Sequence, residues 1–419
     1  MSIKLAKKSV LGVALSGLIS LGAQAGNVEV LHYWTSGGEA KSAAVLKQLL
    51  EKEGHQWKDF AVAGGGGESA MTVLKSRAVS GNPPSAAQIK GLDIKEWADL
   101  GFLTQLDAVA ESAGWDQLLP GVVSDVMKYD GHYVAVPVNV HRVNWLWANP
   151  EIFQSVGVDI PKTWGEFIEV ADKIKDAGYV PLAHGGQAWQ DATVFEAVVL
   201  GEGGAEFYHK AFVEHDQATL TSPKMVEILA TFKKLRNYID SDSAGRDWNI
   251  ATSMVINGKA AMQIMGDWAK GEFTAAGKKP GTDYLCVAAP GTSNAFTFNI
   301  DSFAMFDVKG SGSKEAQADL ARLIMEPQFQ ETFNLNKGSI PARLGMPRAN
   351  FDSCAHTSMD DFVATSKSGG LVPSMAHGMS TTSAVQGAIY DVVTNYFNSD
   401  SLSAEQAADK LARAIKAAI

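Results

Sequence analysis

What the chain is short of narrows it first. Beyond residue 21 no apolar stretch approaches the roughly 18 residues that a membrane-spanning helix needs, so nothing past the N-terminus reads as membrane-embedded. Basic residues are outnumbered, 36 Lys and Arg against 46 Asp and Glu. That deficit argues against nucleic acid, whose phosphates demand a basic face. Only two cysteines occur, Cys286 and Cys354, and their spacing is that of neither a zinc site nor a redox pair. A single disulfide and two buried thiols are both open readings. Catalytic signatures are missing too: there is no G-x-S-x-G elbow, no H-E-x-x-H, no phosphate loop ending in G-K-S/T and no C-x-x-C. The nine histidines lie scattered without metal-ligand spacing. No catalytic residue, metal or cofactor is therefore assigned.

What is present begins with an export signal. Lys4, Lys7 and Lys8 form a basic start, Val10 to Leu21 an apolar stretch, and Ala23-Gln24-Ala25 an A-x-A cleavage site after Ala25. No cysteine follows to carry a lipid, so the mature chain is expected to be soluble and periplasmic. Losing those three lysines moves the formal charge from -10 to -13, which suits solubility. The 394 residues left after removing 25 from 419 exceed what one hydrophobic core usually serves, so two domains are expected.

Along the mature chain strands and helices alternate. Val28–Tyr33 reads as a strand and Ala40–Glu51 as a helix with Val45, Leu46, Leu49 and Leu50 on one side. Trp57–Ala63 is a second strand, and Gly64–Gly67 opens a helix over Glu68–Val79 that Gly81-Asn82-Pro83-Pro84 stops. Such alternation predicts an α/β fold of mainly parallel sheets flanked by helices, with ligands at the carboxyl ends of strands. Helical patterns follow at 164–177, 193–200 and 223–238, then strands at 260–265 and 284–289. The late strand 296–306 is expected to rejoin the first sheet. That makes both domains discontinuous: 26–136 plus 297–340, and 137–296 plus 341–419, with a multi-strand hinge and a cleft between them.

Several residues stand out against this pattern. Tyr33 and Trp34 are neighbours at a strand exit and point to opposite faces, so at least one seeks a partner outside the sheet. Whether Tyr33 is core or a second ligand surface is open. Trp268 likewise leaves a strand-like run, in Met265-Gly266-Asp267-Trp268, and reads equally as core or as a platform facing Trp34. The run Gly65-Gly66-Gly67-Glu68-Ser69-Ala70 fits G-x-G-x-x-A, but follows the second strand, and four glycines match many patterns by chance. A tight turn that brings the Gly65 and Gly66 backbone to a crevice is the better reading. Counting alone does not exclude a hydrolase with Glu39 and Asp301 as its acid pair, because sequence does not supply their separation.

Taken together, "HYWTSGGEAKSAAVLKQLLE", "GGGGESAMTVLKSRAVSGNPPSAAQIKG", "VAVPVNVHRVNWLWANPEIF", "PKTWGEFIEVADKIKDAGYVPLAHG", "GKAAMQIMGDWAKGEF", "FNIDSF", "NKGSIPAR" and "MAHGM" resemble the periplasmic sugar-binding proteins of ABC importers, the maltodextrin-binding-like class, and within it glucose- and mannose-binding members. The resemblance spans the mature chain. It implies a type II binding-protein fold that closes on one monosaccharide (glucose, mannose or galactose) as a monomer and docks on an inner-membrane permease; a binding protein for another solute, such as a disaccharide or polyol phosphate, is the alternative reading. It also implies a ligand set of Trp34, Glu39, Lys90, Trp268, Asn299, Asp301, Lys337 and His377. Tyr33 departs from the paired tryptophans expected there, which bears on which sugar fits. Asp301 and Lys337 are expected to pair, and Trp34→Ala or Asp301→Ala to abolish binding without changing the stability of the ligand-free protein.

Overall fold

The computed structural model describes residues 25–419; the expected export signal, up to residue 24, lies outside the described residues. β1 (Asn27–His32), α1 (Gly37–Lys52), β2 (Gln56–Ala61) and α2 (Glu68–Val79) alternate as the hydrophobic pattern predicts, and β3 (Ala86–Lys90) and α3 (Leu92–Asp99) continue the alternation. Val28, Val30 and Leu31 are fully buried, and β1 pairs in parallel with both β2 and β3. α1 starts on a capping box: the Ser36 hydroxyl accepts from the Glu39 N–H, and the Glu39 carboxylate accepts from the Ser36 N–H.

The chain then runs through β4 (Ala135–Pro137), β5 (His141–Arg142), β6 (Trp145–Ala148), β7 (Val180–Leu182), α4 (Ala188–Phe212, broken by a kink at Gly204), β8 (Ala260–Ile264), α5 (Ala269–Ala275) and β9 (Leu285–Ala288). β10 (Phe296–Asn299) and β11 (Asp301–Met305) follow, then α6 (Pro327–Lys337), α7 (Ser353–Ser368), β12 (Leu371–Pro373) and α8 (Ser383–Asn398). The expected single strand over 296–306 is two. β10 pairs with β5 and β12, whereas β11 joins the first sheet in the order β2-β1-β3-β11-β4, so the chain changes sheets at Ile300.

Both main sheets are mixed, which corrects the expectation of mainly parallel ones. β11 runs antiparallel to β3 and β4, and in the β9-β6-β8-β7 sheet only β8 and β7 are parallel.

Buried side chains form two cores. One gathers Val30, Leu31, Phe303 and Phe333, and the other Trp147, Phe195, Phe232 and Tyr396. Val140 bridges Ile340 through paired backbone bonds. Cys286 on β9 and Cys354 in α7 form a disulfide with Cα atoms 6.0 Å apart, which resolves the open cysteine reading.

Candidate functional site

Strand ends converge between the two cores. β1 delivers Tyr33 and Trp34, β3 ends on Lys90, and the β10–β11 junction carries Asn299 and Asp301. α6 ends on Lys337, and the exit of β8 leads to Asp267 and Trp268. All eight residues of the expected ligand set line one slot, joined by Tyr33, Gly65 and one residue the sequence did not single out, His141. Gly66 lies on an adjoining chamber instead. The slot is narrow, with a cavity volume of about 20 Å³.

His141 organises the charges. Its Nε2 lies 2.9 Å from Asp301 Oδ2, and its Nδ1 bonds Asp267 Oδ1. Burial alone would lower the imidazole pKa, but Asp267 and Asp301 outweigh it and hold the value above the ordinary one. Burial would likewise raise Asp301, yet His141, Lys337 and Lys90 hold its carboxyl well below the usual range. Asn139 Nδ2 at 3.3 Å and Gln88 Nε2 at 3.5 Å donate to the same carboxylate, and Asp301 N–H donates to Asn139 Oδ1 at 3.1 Å. Asp301 is therefore a fixed, ionised acceptor. His377 is the opposite case: burial, Lys90 and His141 push its pKa well down, leaving a neutral ring.

The expected Asp301–Lys337 pair does not form. Lys337 Nζ instead donates to Glu39 Oε1 at 2.6 Å, because Asp301 is already satisfied by His141. Glu39 Oε2 accepts the N–H groups of Thr35 at 3.2 Å and Ser36 at 3.3 Å. A carboxylate has about four acceptor positions, so capping α1 and pairing Lys337 leave Glu39 little to offer a ligand. The S-x-x-E spacing in "SGGE" was the signal for this structural task.

Indole and phenol rings form the walls. Trp34 is 2% exposed, its edge on Phe303 at 5.5 Å and its ring 5.1 Å from Phe333. Trp268 packs edge-on to His141 at 5.1 Å and His377 at 4.9 Å. The glycine run is a close approach across the cleft: a Cβ at Gly65 would fall 2.6 Å from Trp248, and one at Gly66 2.7 Å from Trp189. Tyr33 is buried, with the Lys90 ammonium 5.4 Å from its ring centre. Its hydroxyl and Asn299 Oδ1 have no hydrogen-bond partner. Outside the slot, Glu272 on α5 accepts from Ser36 Oγ at 2.7 Å and Gly38 N–H at 2.9 Å, linking the two halves at the start of α1.

Two α/β bodies meeting at a cleft define a two-lobed receptor of the type II binding-protein fold. A solved structure of the bacterial solute receptor AcbH, described as preferring β-D-galactopyranose, superposes with a TM-score of 0.79 at 18% identity, covering 93% of this chain and 98% of that one. A maltose-bound T. maritima MalE3 gives 0.77 at 17% identity, covering 94% and 100%. A profile of the bacterial extracellular solute-binding protein family matches residues 33–318, and the chain belongs to that family. A probable sugar-binding periplasmic protein of Rhizobium meliloti is 50% identical over 392 residues, 94% of each chain. One from Brucella melitensis is 48% identical over 421 aligned residues, 99% of each. The protein is periplasmic, as these relatives are.

Proposed function

We propose that the protein captures a single hexose, glucose in the first instance with mannose and galactose as the neighbouring choices, and presents it to an inner-membrane ABC permease. The observation that carries this reading is the state of the slot's polar groups. Asp301 is buried and ionised, while the Tyr33 hydroxyl and Asn299 Oδ1 are buried without partners. Buried polar groups are almost always paired, and a ligand in the slot that Tyr33 and Asn299 line would supply the missing partners. A pyranose supplies what they lack, a rim of hydroxyls that donate and accept, and C–H faces that suit indole surfaces such as Trp34 and Trp268. Hydrogen bonds to charged groups contribute about twice the neutral ones, which favours Asp301, Lys90 and Lys337 as partners for a neutral sugar.

The same geometry favours binding over hydrolysis. A general acid must hold a proton, and Asp301 lies far below the range where it could. Glu39 is committed to Lys337 and to the α1 cap. The lobes, 26–136 with 297–340 and 137–296 with 341–419, close on the sugar because it touches both, and a monomeric closed form is what the permease reads. Titration calorimetry with glucose, mannose and galactose, followed by recovery of the sugar, tests this. Heat with intact sugar supports capture, and turnover overturns it.

A further inference from the structure

One face of α4 holds the segment that carries His377 into the slot. Trp189, Thr193 and Glu196 lie four and three positions apart on that helix, so they share a face, and all three are buried. They meet the chain that follows β12, from Ser374 to His377, whose last residue lines the slot.

Glu196 fastens this chain. Its Oε1 accepts the Ser374 hydroxyl at 2.7 Å, and its Oε2 accepts the peptide N–H groups of Met375 at 2.9 Å and Ala376 at 3.2 Å. Tyr208, beyond the kink at Gly204, donates its hydroxyl to the same Oε2 at 2.8 Å and shares the Met375 N–H at 2.9 Å. These donors fill the roughly four acceptor positions of a carboxylate. Glu196 is nevertheless 1% exposed, forms no ion pair among the described residues, and has its pKa pushed up by burial to about 7. A desolvated acid without a cation costs stability, and acids perturbed in this way gather at functional sites.

Thr193 settles the proton on His377. The threonine hydroxyl has a single proton, which goes to the Trp189 carbonyl at 2.8 Å. His377 Nε2, 3.4 Å from the same hydroxyl, is then left to donate to it. The imidazole is neutral and has one N–H to give, so Nδ1 is bare, and it has no hydrogen-bond partner among the described residues. Trp189 at 5.9 Å and Trp268 at 4.9 Å hold the ring edge-on.

We propose that Thr193 and Glu196 are positioning residues of the sugar site: Glu196 fixes where His377 sits, Thr193 fixes which ring nitrogen carries the proton, and His377 meets the ligand as a hydrogen-bond acceptor through Nδ1. This rests on the reading that the slot takes a sugar. It adds a demand on that sugar, a hydroxyl free to donate to His377 besides the one that Asp301 accepts.

Nuclear magnetic resonance of the mature protein with nitrogen-labelled histidine tests the proton before any sugar is added. The His377 ring signals, assigned by their loss in His377→Gln, should report a protonated Nε2 and a bare Nδ1. Calorimetry with the tightest of glucose, mannose and galactose tests the positioning. Thr193→Val should shift the ring toward the Nδ1–H tautomer and weaken binding about tenfold, and Thr193→Ser, which keeps the hydroxyl, should recover most of that loss. Glu196→Leu should weaken binding by about tenfold or more. Glu196→Gln, whose oxygen still accepts the peptide N–H groups and whose amide can donate to Ser374, should bind about fivefold or more tighter than Glu196→Leu. A proton on Nδ1 in wild type, equal affinities for Thr193→Val and Thr193→Ser, or Glu196→Gln binding no better than Glu196→Leu overturns the positioning while sparing the slot. Should Glu196→Leu not fold, the wild-type ring signals and the two Thr193 variants decide. No heat from any of the three hexoses with wild type overturns the sugar reading, and this proposal with it.

Discussion

Replacing His141 with glutamine tests the charge arrangement at the centre of the site. In the folded protein one buried imidazole faces two buried carboxylates, Asp267 and Asp301. Removing it leaves two acids in a desolvated place with no cation between them. Breaking a buried pair from one side costs about 3 to 5 kcal/mol. For a domain of this size that corresponds to a fall of roughly 10 °C in melting temperature. The double variant with Asp267→Asn removes one of the stranded charges, and should recover at least about 1 kcal/mol of the loss, within the range of coupling for contacting residues. pH supplies a second reading. His141 has a raised pKa, so its contribution is complete below the ordinary imidazole value of about 6.5 and is lost as pH rises through the raised one. Asp301 has a depressed pKa, so its contribution is complete above about 3.8 and is lost as pH falls through the depressed value. The gap between wild type and His141→Gln should therefore be widest between about pH 4 and 6.5 and narrow above the raised imidazole value. Urea unfolding across that range is the assay. A loss below about 1 kcal/mol, or one that does not depend on pH, would refute an imidazolium shared by two carboxylates.

Three further outcomes follow from named contacts. Trp34→Ala should abolish sugar binding, and because the indole is buried against Phe303 and Phe333 it should also cost about 3 to 5 kcal/mol in the ligand-free protein, measurable by denaturant unfolding. Serine at both Cys286 and Cys354 should destabilise by about 4 kcal/mol, the loop-closure estimate for a sequence separation of 68, with sugar affinity within a few-fold of wild type. Glu272→Ala removes the acceptor shared by Ser36 and Gly38 without touching the slot; sugar affinity should drop about tenfold as closure loses roughly 1.4 kcal/mol, and small-angle scattering should show a more open ligand-free protein.

Local sequence made much of this legible, and the rest depended on pairing. Periodicity and glycine punctuation were enough for β1 through α2, where the α2 bounds of 68 and 79 match the expected ones. The break at Ile300 was hidden because β10 and β11 are separated by a single residue with no glycine or proline between them, and only their partners, β12 and β5 against β3 and β4, tell them apart. The helix expected at 193–200 begins at Ala188 and is buried on all sides over 189–200, which erases the amphipathic signal that marks surface helices; the segment on to Phe212 is broken at Gly204, whose φ of 80° and ψ of 173° are not helical. Motif resemblance named residues that do meet in one slot. It did not name His141 or Asp267, although one lies in "VNVHRVNW" and the other immediately precedes Trp268. It also did not say which acid pairs with which base. The burial of Trp34 and Asp301 argues against the expectation that alanine at either leaves stability unchanged, because both side chains are parts of the fold that also line the slot.

The most direct measurement is a calorimetric titration of the mature protein with glucose, mannose and galactose, with the sugar recovered afterwards and analysed. The account predicts saturable binding of one hexose per chain, abolished by Asp301→Asn, with the sugar returned unchanged. No heat from any of the three hexoses, or a recovered sugar that has been cleaved or altered, would contradict it.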